Sequence, residues 1–128
     1  MRFYVPQNDA HVSHSLKNNQ QTADYFEADC LTLAAFCRQM NIDEITLLKL
    51  DIETAEYEVI TALLAGDLHP EMLSVEFDEG YFSLDGQWRQ RILDTMTELS
   101  KQGYALIHRD GFNFPCIRFK PPASAGQL

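Results

Sequence analysis

The run from Thr46 to Ile60, reading TLLKLDIETAEYEVI, constrains this chain more than any other stretch. It reads as a buried strand that passes through an acidic corner and directly into a helix. Leu47, Leu48, Leu50 and Ile52 give the near-continuous apolar run expected of a strand covered on both faces. Lys49 interrupts that run, and Asp51 and Glu53 follow at its carboxyl end. Open α/β sheets bind ligands outside the carboxyl ends of their strands. Chemistry is therefore expected at this corner.

The rest of the chain alternates in the same style. Phe3-Tyr4-Val5, stopped by Pro6, and Tyr25-Phe26 predict two short strands, and the polar stretch from Gln7 to Asp24 between them predicts a surface loop. Thr32 suits a helix N-cap, with Leu33, Phe36, Cys37 and Met40 recurring as one apolar stripe to pack on a sheet. After the corner, residues 55–65 predict a helix with Val59, Ile60, Leu63 and Leu64 inward and Gly66 as its stop. Met72 to Phe77 predicts a second buried strand, ending in Asp78-Glu79-Gly80. From about Asp85 a third helix places Trp88, Ile92, Met96 and Leu99 on one face, with Gly103 just past its end. Asp110-Gly111 lies between two apolar segments, Tyr104–His108 and Phe112–Phe119, which is a hairpin signal. Pro115 is expected at a bulge or a strand entrance. Residues 121–128 read as a flexible tail.

Strands alternating with helices imply an α/β fold, a mostly parallel sheet with right-handed crossovers, closed here by a C-terminal antiparallel hairpin. With 128 residues, 45% of them hydrophobic, one domain over residues 1–120 is expected. The formal net charge of −9 argues against nucleic acid and against anionic membrane surfaces as partners. No apolar run approaches the ~20 residues of a membrane span. Cys30, Cys37 and Cys116 form neither a paired framework nor a metal spacing, so a reducing cytoplasm is expected.

Lys49, Asp51, Ile52, Glu53, Ala55 and Glu56 together resemble the signature of the FkbM-type family of S-adenosylmethionine-dependent methyltransferases, which carries a lysine-apolar-aspartate-apolar-glutamate-glycine-alanine-glutamate run. The chain departs from it at Thr54, where the family has glycine. A Thr54 hydroxyl can instead cap the following helix. The resemblance covers about residues 25–120, the carboxyl half of the family's domain. It implies a partial Rossmann-like class I methyltransferase sheet, whose last strand inserts antiparallel. It also implies methyl transfer from S-adenosylmethionine to a hydroxyl of a sugar or secondary metabolite. Such a domain should open with a glycine-rich turn, because only a backbone without Cβ lets the cofactor approach closely. This sequence has six glycines, the first of them Gly66, and no GxG. The expectation is a truncated methyltransferase-like domain that binds S-adenosylmethionine poorly as a single chain. Two other expectations stand beside it: a half-enzyme completed by a second chain, and a non-catalytic module for self-association or partner binding.

By that resemblance Asp51 lies beside the transferred methyl, as a catalytic and cofactor-binding residue, and Glu53 and Glu76 shape the catalytic pocket. Glu53, Lys49 and His14 are the candidate substrate-binding residues, His14 because His14-Ser15-Leu16 sits where the family tends to have a serine-leucine pair. Lys49 and Glu76 occupy comparable places on neighbouring strands and are expected to be able to pair, either structurally or to orient a carboxylate. Glu56 and Glu58 read as acidic residues that complement a helix dipole. His11, His108 and Arg109 read as surface residues, and Trp88 as core. Carboxylates suit a hard cation, but their spacing follows no defined metal loop, and no metal site is assigned. Without a glycine-rich half beside it, the strand Thr46–Asp51 would leave an apolar edge open. A homodimer through that edge is expected, with the amino-terminal strands contributing to the contact.

Overall fold

The computed structural model describes residues 1–7, 14, 16, 18, 21–83 and 85–119, so the loop residue His11 and the tail 121–128 lie outside the described residues. Two short strands, β1 (Arg2–Tyr4) and β2 (Tyr25–Glu27), pair antiparallel with Phe3 opposite Phe26. Their rings stack at 5.2 Å, and Arg2 Nε donates to Glu27 Oε1 at 3.0 Å. Both strands form where the sequence predicts them. They pair with each other as a separate ribbon.

The remaining strands build a four-stranded sheet in the order β3-β4-β6-β5, from β3 (Leu47–Leu50), β4 (Met72–Glu76), β5 (Tyr104–Leu106) and β6 (Asn113–Arg118). Only β3–β4 is a parallel pair, because β6 inserts between β4 and β5 and runs against both. Three of the four strands still point one way, so the expected direction holds, while the pairing is more antiparallel than the expected mostly parallel sheet. The helix α2 (Glu56–Ala65) joins β3 to β4, and α3 (Trp88–Lys101) joins β4 to β5. Carboxyl ends of β3 and β4 therefore lie side by side.

The core gathers Leu50, Leu73, Val75 and Phe114 from the sheet, Ile60 and Leu63 from α2, and Ile92 and Leu99 from α3. Strand periodicity explains a departure from sequence expectation at β3. Leu50 is buried and Leu48 half-buried, whereas Lys49 is exposed and Leu47 is 56% exposed. Alternate residues of a strand point to opposite faces, and only the face carrying Leu48 and Leu50 is covered in β3. A similar correction applies to α1 (Leu33–Met40). Thr32 caps it as predicted, its Oγ1 accepting from Ala35 N–H at 3.1 Å, and Cys37 is buried. The helix contacts α2, however, and leaves Phe36 45% and Met40 55% exposed, so the stripe is only partly used.

Three turns complete the frame. Gly103 follows α3 with φ +89°, the left-handed stop its position predicted. Gly66 ends α2 in extended conformation, with φ −105°, so its role is not that of a left-handed stop. A Cβ at Gly80 would fall inside the Phe112 ring, which packs edge-on against Tyr81 and half-buried Trp88. Pro115 lies in mid-strand opposite Ser74, neither at a bulge nor at a strand entrance. Its carbonyl accepts from Ile107 N–H at 2.9 Å, which turns its missing donor toward the fading end of β5 and away from β4. The β4–β6 ladder loses nothing there.

Candidate functional site

Directly after Leu50 the chain leaves β3 and turns through Asp51, Ile52, Glu53, Thr54 and Ala55 into α2. Glu53 and Thr54 both take positive φ, +54° and +80°. The second value lies where glycine is at ease and a β-branched residue is strained. That explains why the family signature has glycine at this position. Thr54 is buried and its Oγ1 has no hydrogen-bond partner. The expected cap by its hydroxyl does not form, and Ala55 occupies the N-cap without a side-chain bond.

Glu56 does the holding instead. Its Oε1 accepts from Ile52 N–H at 3.1 Å and from Thr54 N–H at 3.2 Å, tying the turn from inside. The residue is 0% exposed, so its assignment to a solvated helix dipole is corrected, while exposed Glu58 keeps that assignment. Burial pushes the Glu56 carboxyl up to about 7, and the charge of Asp78 adds to the rise. Asp78, one residue beyond Phe77 at the end of β4, is raised too. Burial is the largest cause, followed by the neighbouring negative charges of Glu53, Asp51 and Glu76.

On the outer side of the corner Lys49 Nζ donates to Asp51 Oδ2 at 2.8 Å. The two residues are two apart on an extended chain and share a face. The expected Lys49–Glu76 pair does not form. Parallel register sets Lys49 beside Ser74, and Asp51 reaches the ammonium first. Glu76 and Asp78 act on Lys49 only as further negative charges behind the Asp51 hydrogen bond, and together they raise its pKa. The structure thus gathers Lys49, Asp51, Glu53 and Glu76 at one acidic corner. His14 is not brought to this corner and lies edge-on to Phe26 of the ribbon at 5.3 Å.

A second acidic element lies behind the first. Glu79, in the 3-10 turn Asp78–Gly80, is buried and is gripped by Arg91 of α3 in a two-pronged pair at 2.8 and 2.6 Å. Arg91 also reaches Asp85 at 2.8 and 3.1 Å. Both carboxylates raise the Arg91 pKa, and Arg91 in turn lowers that of Asp85. Tyr57 of α2 stacks on Phe77, and its hydroxyl pKa is raised by burial and by Glu79. The sequence shows Asp78-Glu79-Gly80 only as the stretch after a strand, and no local pattern marks Arg91 as the partner that reaches Glu79 from twelve residues further on.

Two clefts lie away from this corner. One of about 580 Å³ is bordered by Cys37, Arg38 and Asn41 of the α1 end and by Gly66 and Asp67 after α2. The other, about 330 Å³, is lined by His69, Glu71, Met72, Ile117 and Arg118. Among the described residues no group of three His, Cys, Asp or Glu side chains is disposed to hold a metal ion. No helix of the described residues is long and apolar enough to cross a membrane.

Comparison with known families matches residues 2–106 to the family described as the methyltransferase FkbM domain. The match begins at β1, before the stretch that the sequence motif covers, and ends with β5. No curated protein matches the chain. No solved structure matches it either.

Proposed function

The chain belongs to the FkbM methyltransferase family, and from that membership we propose that its acidic corner is the methyl-acceptor side of an O-methyltransferase site. The observation that carries this reading is the convergence of Asp51, Glu53 and Glu76 at the adjacent carboxyl ends of β3 and β4. The order β3-β4-β6-β5, with β6 inserted antiparallel, supports a partial Rossmann-like sheet of the class I methyltransferase kind. The acceptor is a hydroxyl of a sugar or secondary metabolite, and the cofactor is S-adenosylmethionine.

When bound, that cofactor supplies an electrophilic methyl group on a positively charged sulfur. The corner fits such a cation by charge, and the partnerless buried Oγ1 of Thr54 is an acceptor at the same turn. Lys49 fixes the direction of the Asp51 carboxylate through their 2.8 Å bond. Asp51 is then placed to orient the acceptor oxygen and take its proton, with Glu53 and Glu76 shaping the pocket. The adenosyl half requires other contacts, since no glycine precedes Gly66. This chain is therefore expected to bind the cofactor weakly by itself. Three free thiols, exposed Cys30 and buried Cys37 and Cys116, favour a reducing, cytoplasmic setting.

One observation favours a second reading. A strained threonine stands at the glycine position of the signature, as in a methyltransferase-like module kept for self-association or partner binding. Calorimetric titration with S-adenosylhomocysteine, followed by methyl-transfer assay of Asp51→Asn, separates the two. The catalytic reading expects weak but measurable binding and loss of turnover in the folded variant. Micromolar affinity, about −8 kcal/mol, would show that this chain does hold the adenosyl half. Near-normal turnover of Asp51→Asn would make Asp51 structural, and absence of binding and transfer in every setting would leave the module.

A further inference from the structure

We propose that Glu56 and Asp78 form an acid–carboxylate pair that stores a single proton behind the acidic corner and makes that corner an acid–base site. Both side chains are withdrawn from solvent, Glu56 at 0% and Asp78 at 9% exposure. They come from the segments that follow neighbouring parallel strands, β3 and β4, so the sheet itself brings them together. Glu56 spends Oε1 on the N–H groups of Ile52 and Thr54. That leaves its Oε2, and the Oδ2 of Asp78, buried with no hydrogen-bond partner when both are counted as carboxylates. Two buried anions side by side are costly, and one proton between them satisfies both orphaned oxygens.

The nearby cations are engaged elsewhere. Arg91 binds Glu79 and Asp85, and Lys49 binds Asp51. The remaining charges around the pair are negative: Asp51 and Glu53 from the corner, Glu76 from β4 and Glu79 from the 3-10 turn, with the Tyr57 hydroxyl on α2 also close enough to feel both Glu56 and Glu79. All of them favour keeping the proton. It resides on Glu56, which donates to Asp78: this contact raises the pKa of Glu56 and lowers that of Asp78. Such a pair titrates in coupled steps that belong to both residues. Its service to methyl transfer, as a proton store behind the acceptor pocket, rests on the function proposed above. The stored proton does not.

Carboxyl-carbon NMR of the full, carbon-13-labelled chain, titrated from pH 3 to 9, tests the pair with neither cofactor nor acceptor present. The expected result is a common step seen by Glu56 and Asp78 near pH 7, the value to which Glu56 is pushed, while ordinary carboxyls finish below about pH 5. In Glu56→Gln the side-chain amide can still bond Asp78 and the turn, and the neutral step should vanish. Asp78→Asn takes away the neighbouring charge that adds to the rise and should move the step to lower pH, and it serves if Glu56→Gln fails to give a folded amide spectrum. Titration of both carboxyls below about pH 5 in the folded parent would overturn the proposal, as would a neutral step that survives in folded Glu56→Gln or that stays in place in folded Asp78→Asn. A neutral step in a chain without methyl transfer upholds the pair and counts only against the enzymatic reading.

Discussion

Replacing Thr54 by glycine is expected to stabilise this protein, although the residue is fully buried. At φ +80° an L-residue costs roughly 1–2 kcal/mol over glycine, with β-branched residues at the unfavourable end. The buried Oγ1 has no partner, a burden of roughly 1–3 kcal/mol. Glycine removes both, for a gross relief of about 2–5 kcal/mol. Against that stand the lost Cβ and methyl carbons, about 1.6 kcal/mol together, and the greater freedom of the unfolded chain, roughly 0.5–1 kcal/mol. The midpoints of these ranges leave a net gain of about 1 kcal/mol, which for a chain of this size raises the thermal midpoint by roughly 4 °C. Thermal and urea unfolding of parent and Thr54→Gly measure it. Thr54→Val retains the methyl and the strained backbone and removes the hydroxyl alone, so it isolates that part of the relief, roughly 1–3 kcal/mol. A glycine variant at or below the parent would refute the reasoning. A gain for valine with none for glycine would place the whole cost on the hydroxyl and none on the backbone.

Three further outcomes are expected. Arg91→Met leaves Glu79, 2% exposed, without its cation and should lower stability by about 2–3 kcal/mol, below the roughly 3–5 of a fully buried pair because Arg91 is itself a third exposed. Urea unfolding checks this, and a loss within ~0.5 kcal/mol would mean that the pair behaves like a surface one. Stability should also fall between pH 5 and pH 8. The folded Glu56 carboxyl, at about 7, lies above its ordinary 4.5, so its contribution is complete below the ordinary value and is lost as pH rises through 7, at about 1.4 kcal/mol per pH unit. Urea midpoints that are flat or rising over that range would contradict it. Finally, β3 ends the sheet and, among the described residues, no strand pairs with its outer side. Sedimentation is expected to show a homodimer through that edge, and a stable monomer at micromolar concentration would remove the idea.

What could be read from the sequence follows from which interactions are local. Thr32 with its following apolar stripe, the β3-to-α2 run, Gly103 and the Asp110-Gly111 hairpin all act within a few residues, and each element appears where its pattern predicts it. Decisions that depend on neighbours far along the chain were not legible. Whether β3 is covered on both faces depends on what lies beside it, and Leu47 exposes the answer. Parallel or antiparallel pairing depended on β6 entering between β4 and β5, which no local pattern encodes. The partner of Lys49 was decided by register and by the proximity of Asp51 along the same strand.

The same distinction explains why the outer half of the candidate site was visible and the inner half was not. Asp51 and Glu53 stand out because polar residues end an apolar run, a contrast written in one dimension. Glu56 carries the same charge as Glu58, and nothing in their immediate sequence says that one is buried and the other solvated. The deciding fact is the left-handed turn at Glu53 and Thr54, which swings the first residue of α2 inward so that its carboxyl meets two backbone N–H groups. A residue type that prefers that turn, glycine, would have announced it, and this chain carries threonine there. Asp78 then becomes chemically distinct only because parallel pairing sets the end of β4 next to the end of β3. Exposed carboxylates around a corner can orient a substrate, but a carboxyl shielded from water beside another negative charge can hold a proton near neutral pH. The part of this corner best suited to move a proton is thus the part that only the folded chain reveals.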